Sequence, residues 1–171
     1  MIIKTADQDA EFLQIHQLNY KTFVDEIPQH KPNQEKILID KFHFKNKYIV
    51  ALQAEKVIGM VCYNQLRPFS LDEKIANLDE FLPAHINLAE IRLLAVAAEA
   101  RKITIAYRLL QYLCIELIRH NIDAAVISGT TRQLHLYTSM GFIPFGPLVG
   151  SGEATYQPMF ITLKDLRHDF K

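Results

Sequence analysis

One stretch constrains the fold more than any other: an apolar run, Leu88–Ala97, that leads within a few residues into Ile103–Arg119 and then Ala124–Ser128. The first segment, LAEIRLLAVA, is rich in Leu, Ile, Val and Ala with little alternation, which suits a strand covered on both faces. The second places apolar residues at 106, 109, 110, 113, 114, 117 and 118, the stripe of an amphipathic helix. Strand, helix and strand in that order need a crossover connection, so the sheet contains parallel neighbours with helices packed on it.

The other segments complete a mixed sheet. Ile2-Ile3-Lys4 is a short strand, and Asp9 to Val24 reads as a helix carrying Phe12, Ile15, Leu18, Tyr20 and Phe23. Pro28 and Pro32 break the chain, and Asn33 is placed to cap a second short helix with Ile37 and Leu38. Tyr48–Gln53 and Val57–Tyr63 form a hairpin about Ala54-Glu55-Lys56. The connection from Asn64 to Asn87 holds Ser70-Leu-Asp-Glu73, spaced as a capping box, and a stripe of Leu71, Ile75, Leu78, Phe81 and Leu82. After the crossover, Thr131–Met140 is a helix stopped by Gly141, Phe142–Phe145 a strand, and Gly146 to Gly152 a loop before a last strand near Tyr156–Leu163. The expectation is an α/β (α+β mixed-sheet) single domain over residues 1–171, its central mixed β-sheet flanked by helices on both faces.

The totals exclude several classes. Lys plus Arg equals 19 and Asp plus Glu equals 19, whereas nucleic-acid binders carry a basic surplus. Cys62 and Cys114 lie in apolar stretches and read as buried thiols, and no zinc spacing exists. The seven histidines form no HxH or HxxxH pair, so no metal is expected. The N-terminus lacks a signal-peptide pattern and no apolar run approaches the ~20 residues of a membrane span. A cytoplasmic protein with no nucleic-acid or membrane partner is expected.

The loop between Val96 and the long helix offers chemistry. The first amides of a helix have no internal partner and lie at the positive end of its dipole, so they bind phosphate. Arg101 and Lys102 just before the helix add charge. A crossover helix that touches no ligand would read the same from composition alone.

These residues resemble the GNAT acyltransferase superfamily, whose pyrophosphate loop reads Q/R-x-x-G-x-G/A after the fourth strand. Here the segment is Arg101-Lys102-Ile103-Thr104-Ile105-Ala106, with Thr104 where the family has its middle glycine. Leu136-Tyr137 with Gly141-Phe142 is similar to the family's L-Y-x-x-x-G-F helix end. The resemblance implies an acyl-CoA N-acyltransferase fold. It places the pantetheine arm on backbone amides of Leu94, Ala95 and Val96, and makes Tyr137 the proton donor to the leaving thiolate. Leu18-Asn-Tyr20-Lys-Thr-Phe23-Val24-Asp25-Glu26 and Glu90-Ile-Arg92-Leu-Leu-Ala-Val96 resemble autoinducer synthases and N-acyl amino acid synthases. RPFSLD, EIRLLAV, ISGT and FGPLVG are similar to segments of GNAT domains that stand alone or are joined to class V aminotransferases.

Glu90 and Arg92 lie two apart on one strand and share a face. Buried charges are seldom left alone, so they pair with each other or meet substrate. Glu90 is the candidate to orient or deprotonate an acceptor amine, with a structural ion pair the competing reading. Arg67 could hold an acceptor carboxylate in a bidentate fork. Phe23, with Phe69, Phe81 and Phe145, lines an acyl or acceptor pocket or else belongs to the core, and the Gly146–Gly152 loop could close over the acceptor.

Three functions stay open on this reading. The first is transfer of an acyl group, acetyl above all, from acetyl-CoA or another acyl-CoA to a small-molecule or peptide amine. The second is a long-chain N-acyl amino acid or acyl-homoserine-lactone-type synthase fed by acyl carrier protein. The third is a non-catalytic ligand-binding module. A homodimer is compatible with all three.

Overall fold

A computed structural model describes residues 1–152 and 154–163, apart from the side chain of Ile103. The strands follow the order β1-β2-β3-β4-β5-β8-β6, with β7 on β8. With β4–β5 parallel and the other described pairings antiparallel, the fold class is the mixed α/β sheet expected. The chain divides into two compact units, Met1–Tyr63 with Leu93–Leu113, and Asn64–Arg92 with the chain from Cys114 onward.

In the first unit β1 (Ile2–Thr5), β2 (Lys47–Gln53) and β3 (Lys56–Asn64) run antiparallel, with Ile3 opposite Ala51 and Val50 opposite Met60. The β2–β3 turn puts both Ala54 and Glu55 at positive φ, the geometry that follows the twist of paired strands. Helix α1 (Asp9–Tyr20) begins where the Glu11 carboxylate accepts the Asp7 and Gln8 amides at 3.0 and 3.3 Å. It stops short of the expected Val24. From Lys21 to Glu26 the turns widen into a π-helix, and Pro28 follows in the chain.

The helix expected after Asn33 does not form. The Asn33 carboxamide instead closes one turn on Ile37 from both sides, accepting its N–H and donating to its carbonyl. Beyond it Leu38 donates its amide to the His16 carbonyl at 3.0 Å. A side chain that satisfies the backbone locally competes with helix propagation.

The core of this unit gathers Ile15, Leu18, Phe23, Tyr48, Val50, Met60, Cys62 and Ala95. Helix α3 (Ile103–Arg119), at the bounds its periodicity predicts, lies close on β3 at Gly59. A Cβ there would come within 3.0 Å of Leu109 Cδ1 and 3.2 Å of Ile105 Cγ2, so a larger residue would have to push these side chains aside.

In the second unit the start of β4 (Leu88–Val96) pairs parallel with β5 (Ala124–Thr130), from Leu88–Ala124 to Ile91–Ile127. β8 (Ala154–Thr162) runs antiparallel to all of β5 and also receives β6 (Ile143–Pro144) and β7 (Val149–Ser151). The segment read as a closing loop, Gly146 to Gly152, therefore contains a strand. Gly150 holds its tight turn at φ +88, where any Cβ would collide with the Ala154 carbonyl.

The amphipathic stretch expected after Ser70 is two short pieces, α2 (Ser70–Lys74) and a 3-10 turn Leu78–Phe81, separated at left-handed Asn77. Helix α4 (Leu134–Ser139) follows a 3-10 turn at Thr131–Gln133. Gly141, at φ +94, then ends this stretch as expected. Phe69, Leu71, Ile75, Leu78, Val126 and Val149 form the core of this unit.

Candidate functional site

The backbone feature that marks the site is Leu93. It holds φ +58 in mid-strand, a left-handed conformation that costs a non-glycine residue roughly 1–2 kcal/mol. The ladder between β4 and β5 ends two residues earlier, at Ile91–Ile127. Strain of this kind persists where surrounding packing enforces it and concentrates at functional sites. Past Leu93 come Leu94, Ala95 and Val96, then a 3-10 turn at Ala98–Ala100 and the start of α3. The Ala97 amide donates to the Ile58 carbonyl at 2.9 Å and fixes where this run leaves the sheet.

All residues expected to hold a phosphopantetheine donor fall in the first unit. Lys102 and Thr104 are exposed, whereas Ile105 and Ala106 are buried at 7% and 8% exposure. The helix start is thus anchored by Ile105 and Ala106 while Lys102 and Thr104 face water. Ile105 donates its amide to the Lys102 carbonyl at 3.0 Å. The side chain of Ile103, also expected here, lies outside the described part of the structure. Arg101 is engaged: one guanidinium nitrogen donates to both Glu26 carboxylate oxygens, at 3.0 and 2.7 Å, and to the Val96 carbonyl at 3.1 Å. The first-turn amides, the exposed ammonium and this guanidinium are a donor set suited to a pyrophosphate. Phe23, by contrast, is buried in the core with Ile15 and Leu18.

The other candidates lie in the second unit. Glu90 is fully buried. One oxygen accepts the Ser70 hydroxyl at 2.6 Å and the Leu71 amide at 3.0 Å; the other accepts the Ser70 amide at 2.9 Å. Arg92 Nε stands 3.9 Å from the second oxygen. The carboxylate is therefore the anchor of α2, and Ser70 serves it rather than a capping box. The helix start is capped instead by Asp72, which accepts the Phe69 amide at 2.6 Å.

Arg67 does not offer an open fork. Its guanidinium meets Asp72 through Nε at 2.7 Å and a terminal nitrogen at 2.5 Å, and Asp79 at 3.0 and 3.4 Å. These two carboxylates raise its pKa, Asp72 the more. Arg67, expected to fork an acceptor carboxylate, thus already carries two carboxylates of its own loop. Arg67 and Phe69 also border a groove of about 460 Å³ with Gln65, Asn87, His120 and Ile122.

Tyr137 is buried on α4, its ring edge-on to Phe142 at 5.9 Å. A Cβ on Gly129 would come within 3.0 Å of the Tyr137 ring, so that glycine makes room for it. The hydroxyl has one long contact, 3.4 Å to Gln133 Oε1, and burial pushes its pKa up. The phenol therefore keeps its proton throughout the physiological range, the form a hydrogen-bond donor needs.

Cys114 is a buried thiol pushed up to about 12 by desolvation, which removes it as a nucleophile. Among the described residues no group of three or more His, Cys, Asp or Glu side chains could hold a metal ion. No described helix is long and apolar enough to cross a membrane.

Residue types alone do not reveal three of these features. A leucine carries no sign of a left-handed backbone, and Ser70 reads as a cap. Glu26 lies in the LNYKTFVDE segment, but its partner Arg101 is far away in sequence.

Comparison with known proteins follows the same lines. The profile of the acetyltransferase (GNAT) family matches residues 12–142. No curated protein matches the chain by sequence. Among solved structures, FeeM, an N-acyl amino acid synthase from uncultured soil microbes, superposes with a TM-score of 0.75 at 15% identity, covering 98% of each chain. The CoA-dependent acyl-homoserine lactone synthase BjaI, with SAM and isopentyl-CoA, gives 0.75 at 18% identity over 92% of this chain and 80% of that one. Aminoglycoside 6'-acetyltransferase type Ii gives 0.65 at 17% identity, covering 95% and 97%.

Proposed function

Because the chain belongs to the acetyltransferase (GNAT) family, we propose that it is an N-acyltransferase that moves an acyl group, acetyl in the first instance, from acyl-CoA to an amine. One observation carries the reading: left-handed Leu93 turns β4 out of its ladder immediately before the Leu94–Val96 amides and the Arg101–Ala106 helix start.

Bound acyl-CoA supplies the thioester that the amine attacks. Arg101, Lys102 and the first amides of α3 hold the pyrophosphate, with Thr104 at the surface of that turn. Amides of Leu94–Val96 orient the pantetheine arm and donate to the thioester oxygen as charge develops there, the kind of stabilisation that supplies most of the rate in such reactions. As the C–N bond forms and the C–S bond breaks, the Tyr137 hydroxyl would donate a hydrogen bond to the departing thiolate while keeping its own proton, because burial raises its pKa; the proton shed by the amine would pass through solvent, and the thiolate would leave as the thiol. Glu90 holds the 70–74 segment against β4 and acts on the acceptor by positioning. Arg92, on the same strand face with its Nε 3.9 Å from Glu90, is the second residue this reading assigns to the acceptor side.

The test is ligand-induced stabilisation with acetyl-CoA, a long-chain acyl-CoA and free CoA. At one hundred times the dissociation constant, binding stabilises the fold by about 2.7 kcal/mol. A shift with acetyl-CoA and turnover with a panel of amines is the expected result. A shift with none of the three, and no turnover, would overturn the assignment. A shift with the long-chain donor alone would move the chain towards the chemistry named for FeeM.

A further inference from the structure

The balance of charge over the whole chain conceals a local excess. Residues 39–47, Ile-Asp-Lys-Phe-His-Phe-Lys-Asn-Lys, contain three lysines against one acid, Asp40. Residues 41–45 form the turn before β2, Lys47 opens that strand, and Phe44 within the turn is 81% exposed. Ile39, just before the turn, is 59% exposed. Lys41 and Lys47 are exposed as well. A single exposed apolar residue needs no explanation, but an aromatic and an aliphatic side chain set among lysines on one built turn is a different case.

The turn is held from beneath. Asp40 Oδ2 accepts the Phe42 amide at 3.0 Å and the Asn46 side-chain amide at 2.8 Å. Phe42 is buried, with Lys45 and Lys41 ammonium groups 4.2 and 5.0 Å from its ring centre. The His43 ring lies 3.1 Å from the Tyr48 hydroxyl and packs edge-on to His16 at 4.8 Å and Phe12 at 6.0 Å. Phe42 and His43 thus point inward and fix the turn, while Phe44 is directed to solvent by the same geometry.

We propose that the 39–47 turn docks the protein on an anionic lipid surface, Phe44 and Ile39 entering the headgroup boundary and Lys41, Lys45 and Lys47 meeting the phosphates. Aromatic side chains flanked by cations are what such an interface accepts. Screening limits electrostatic reach to about 10 Å at 0.1 M salt, so the surface senses this turn and not the neutral total. A protein partner is the weaker fit, because a specific interface buries about 800 Å² on each side and the short 39–47 tip presents far less. The proposal departs from the expectation of no membrane partner and is independent of the acyl-transfer reading.

The test is co-sedimentation of the full chain with vesicles of phosphatidylcholine alone or mixed with phosphatidylserine, at low and high salt. Expected is binding to the anionic vesicles only, lost at high salt. Each of Lys41→Gln and Lys47→Gln should weaken partition about fivefold, and Phe44→Ala about tenfold. Acyl transfer in solution should be unchanged, and thermal melts would confirm that the variants fold. No binding to anionic vesicles at low salt would overturn the proposal. So would binding that survives the triple substitution, or capture of an acidic carrier protein by these residues without vesicle binding.

Discussion

Glu90→Gln separates two roles for the most deeply placed charge in the protein. The carboxylate accepts three hydrogen bonds from Ser70 and Leu71, all from neutral donors to an ion, each worth about 1.5–3 kcal/mol. A carboxamide keeps one oxygen. If it faces the Ser70 hydroxyl and the Leu71 amide, the new NH2 group confronts the Ser70 N–H, donor against donor. One charge-assisted bond is lost and one buried N–H is stranded, a cost of about 3 kcal/mol with relaxation allowed. For a domain of this size that is a fall in Tm of about 6–12 °C. Differential scanning calorimetry measures it, with kcat followed against pH on the same samples. Ser70→Ala and the double variant complete a cycle, and a coupling energy above about 1 kcal/mol is expected between residues in direct contact. A melting point within 2 °C or so of the parent, with kcat down about a hundredfold and its pH dependence abolished, would refute the reasoning and make Glu90 a general base.

Other outcomes follow from particular contacts. Tyr137→Phe should lower kcat about a hundredfold and leave Tm almost unmoved, since the hydroxyl has only a 3.4 Å contact to Gln133; an unchanged kcat would remove its role as hydrogen-bond donor to the thiolate. Asn64→Leu should stabilise the protein by about 1–2 kcal/mol in a denaturant melt, because both polar atoms of that buried amide lack a hydrogen-bond partner; a loss would mean the amide is satisfied in solution. His16 sits below its usual pKa of 6.5, through burial first and His43 second. Its depressed folded pKa means its stabilisation is complete above about 6.5 and lost as pH falls through the folded value. Tm measured from pH 8 to 5 should therefore decline at the acid end, and His16→Gln should flatten that decline relative to the parent.

Periodicity decided what could be read in advance. Helix α3 is legible to its ends because its apolar residues hold one stripe over seventeen positions. Strand β4 is legible because it is apolar on both faces. Helix α1 is less so: it buries Glu11, His16 and Asn19 alongside Ile15 and Leu18, so its polar residues mislead, and nothing in Lys21–Glu26 encodes a wider turn. The failed helix after Asn33 and the divided segment after Ser70 share a cause, a side chain or left-handed residue that satisfies the backbone locally. Long-range charge pairing was out of reach. The sequence does not announce that Asp72 and Asp79 meet Arg67, or that Ser70 and Leu71 meet Glu90.

The clasp of Arg101 by Glu26 has a consequence for which anions can enter. The carboxylate is tethered within bonding distance, so its effective concentration exceeds that of any free anion at millimolar levels. A lone inorganic phosphate must displace it for a single contact and gains little. A ligand that also engages Lys102, the α3 amides and the Leu94–Val96 backbone makes the exchange as one step among many. With the proposed donor as ligand, Glu26 would work as a resident competitor, setting a threshold that a multivalent donor crosses and common salts do not.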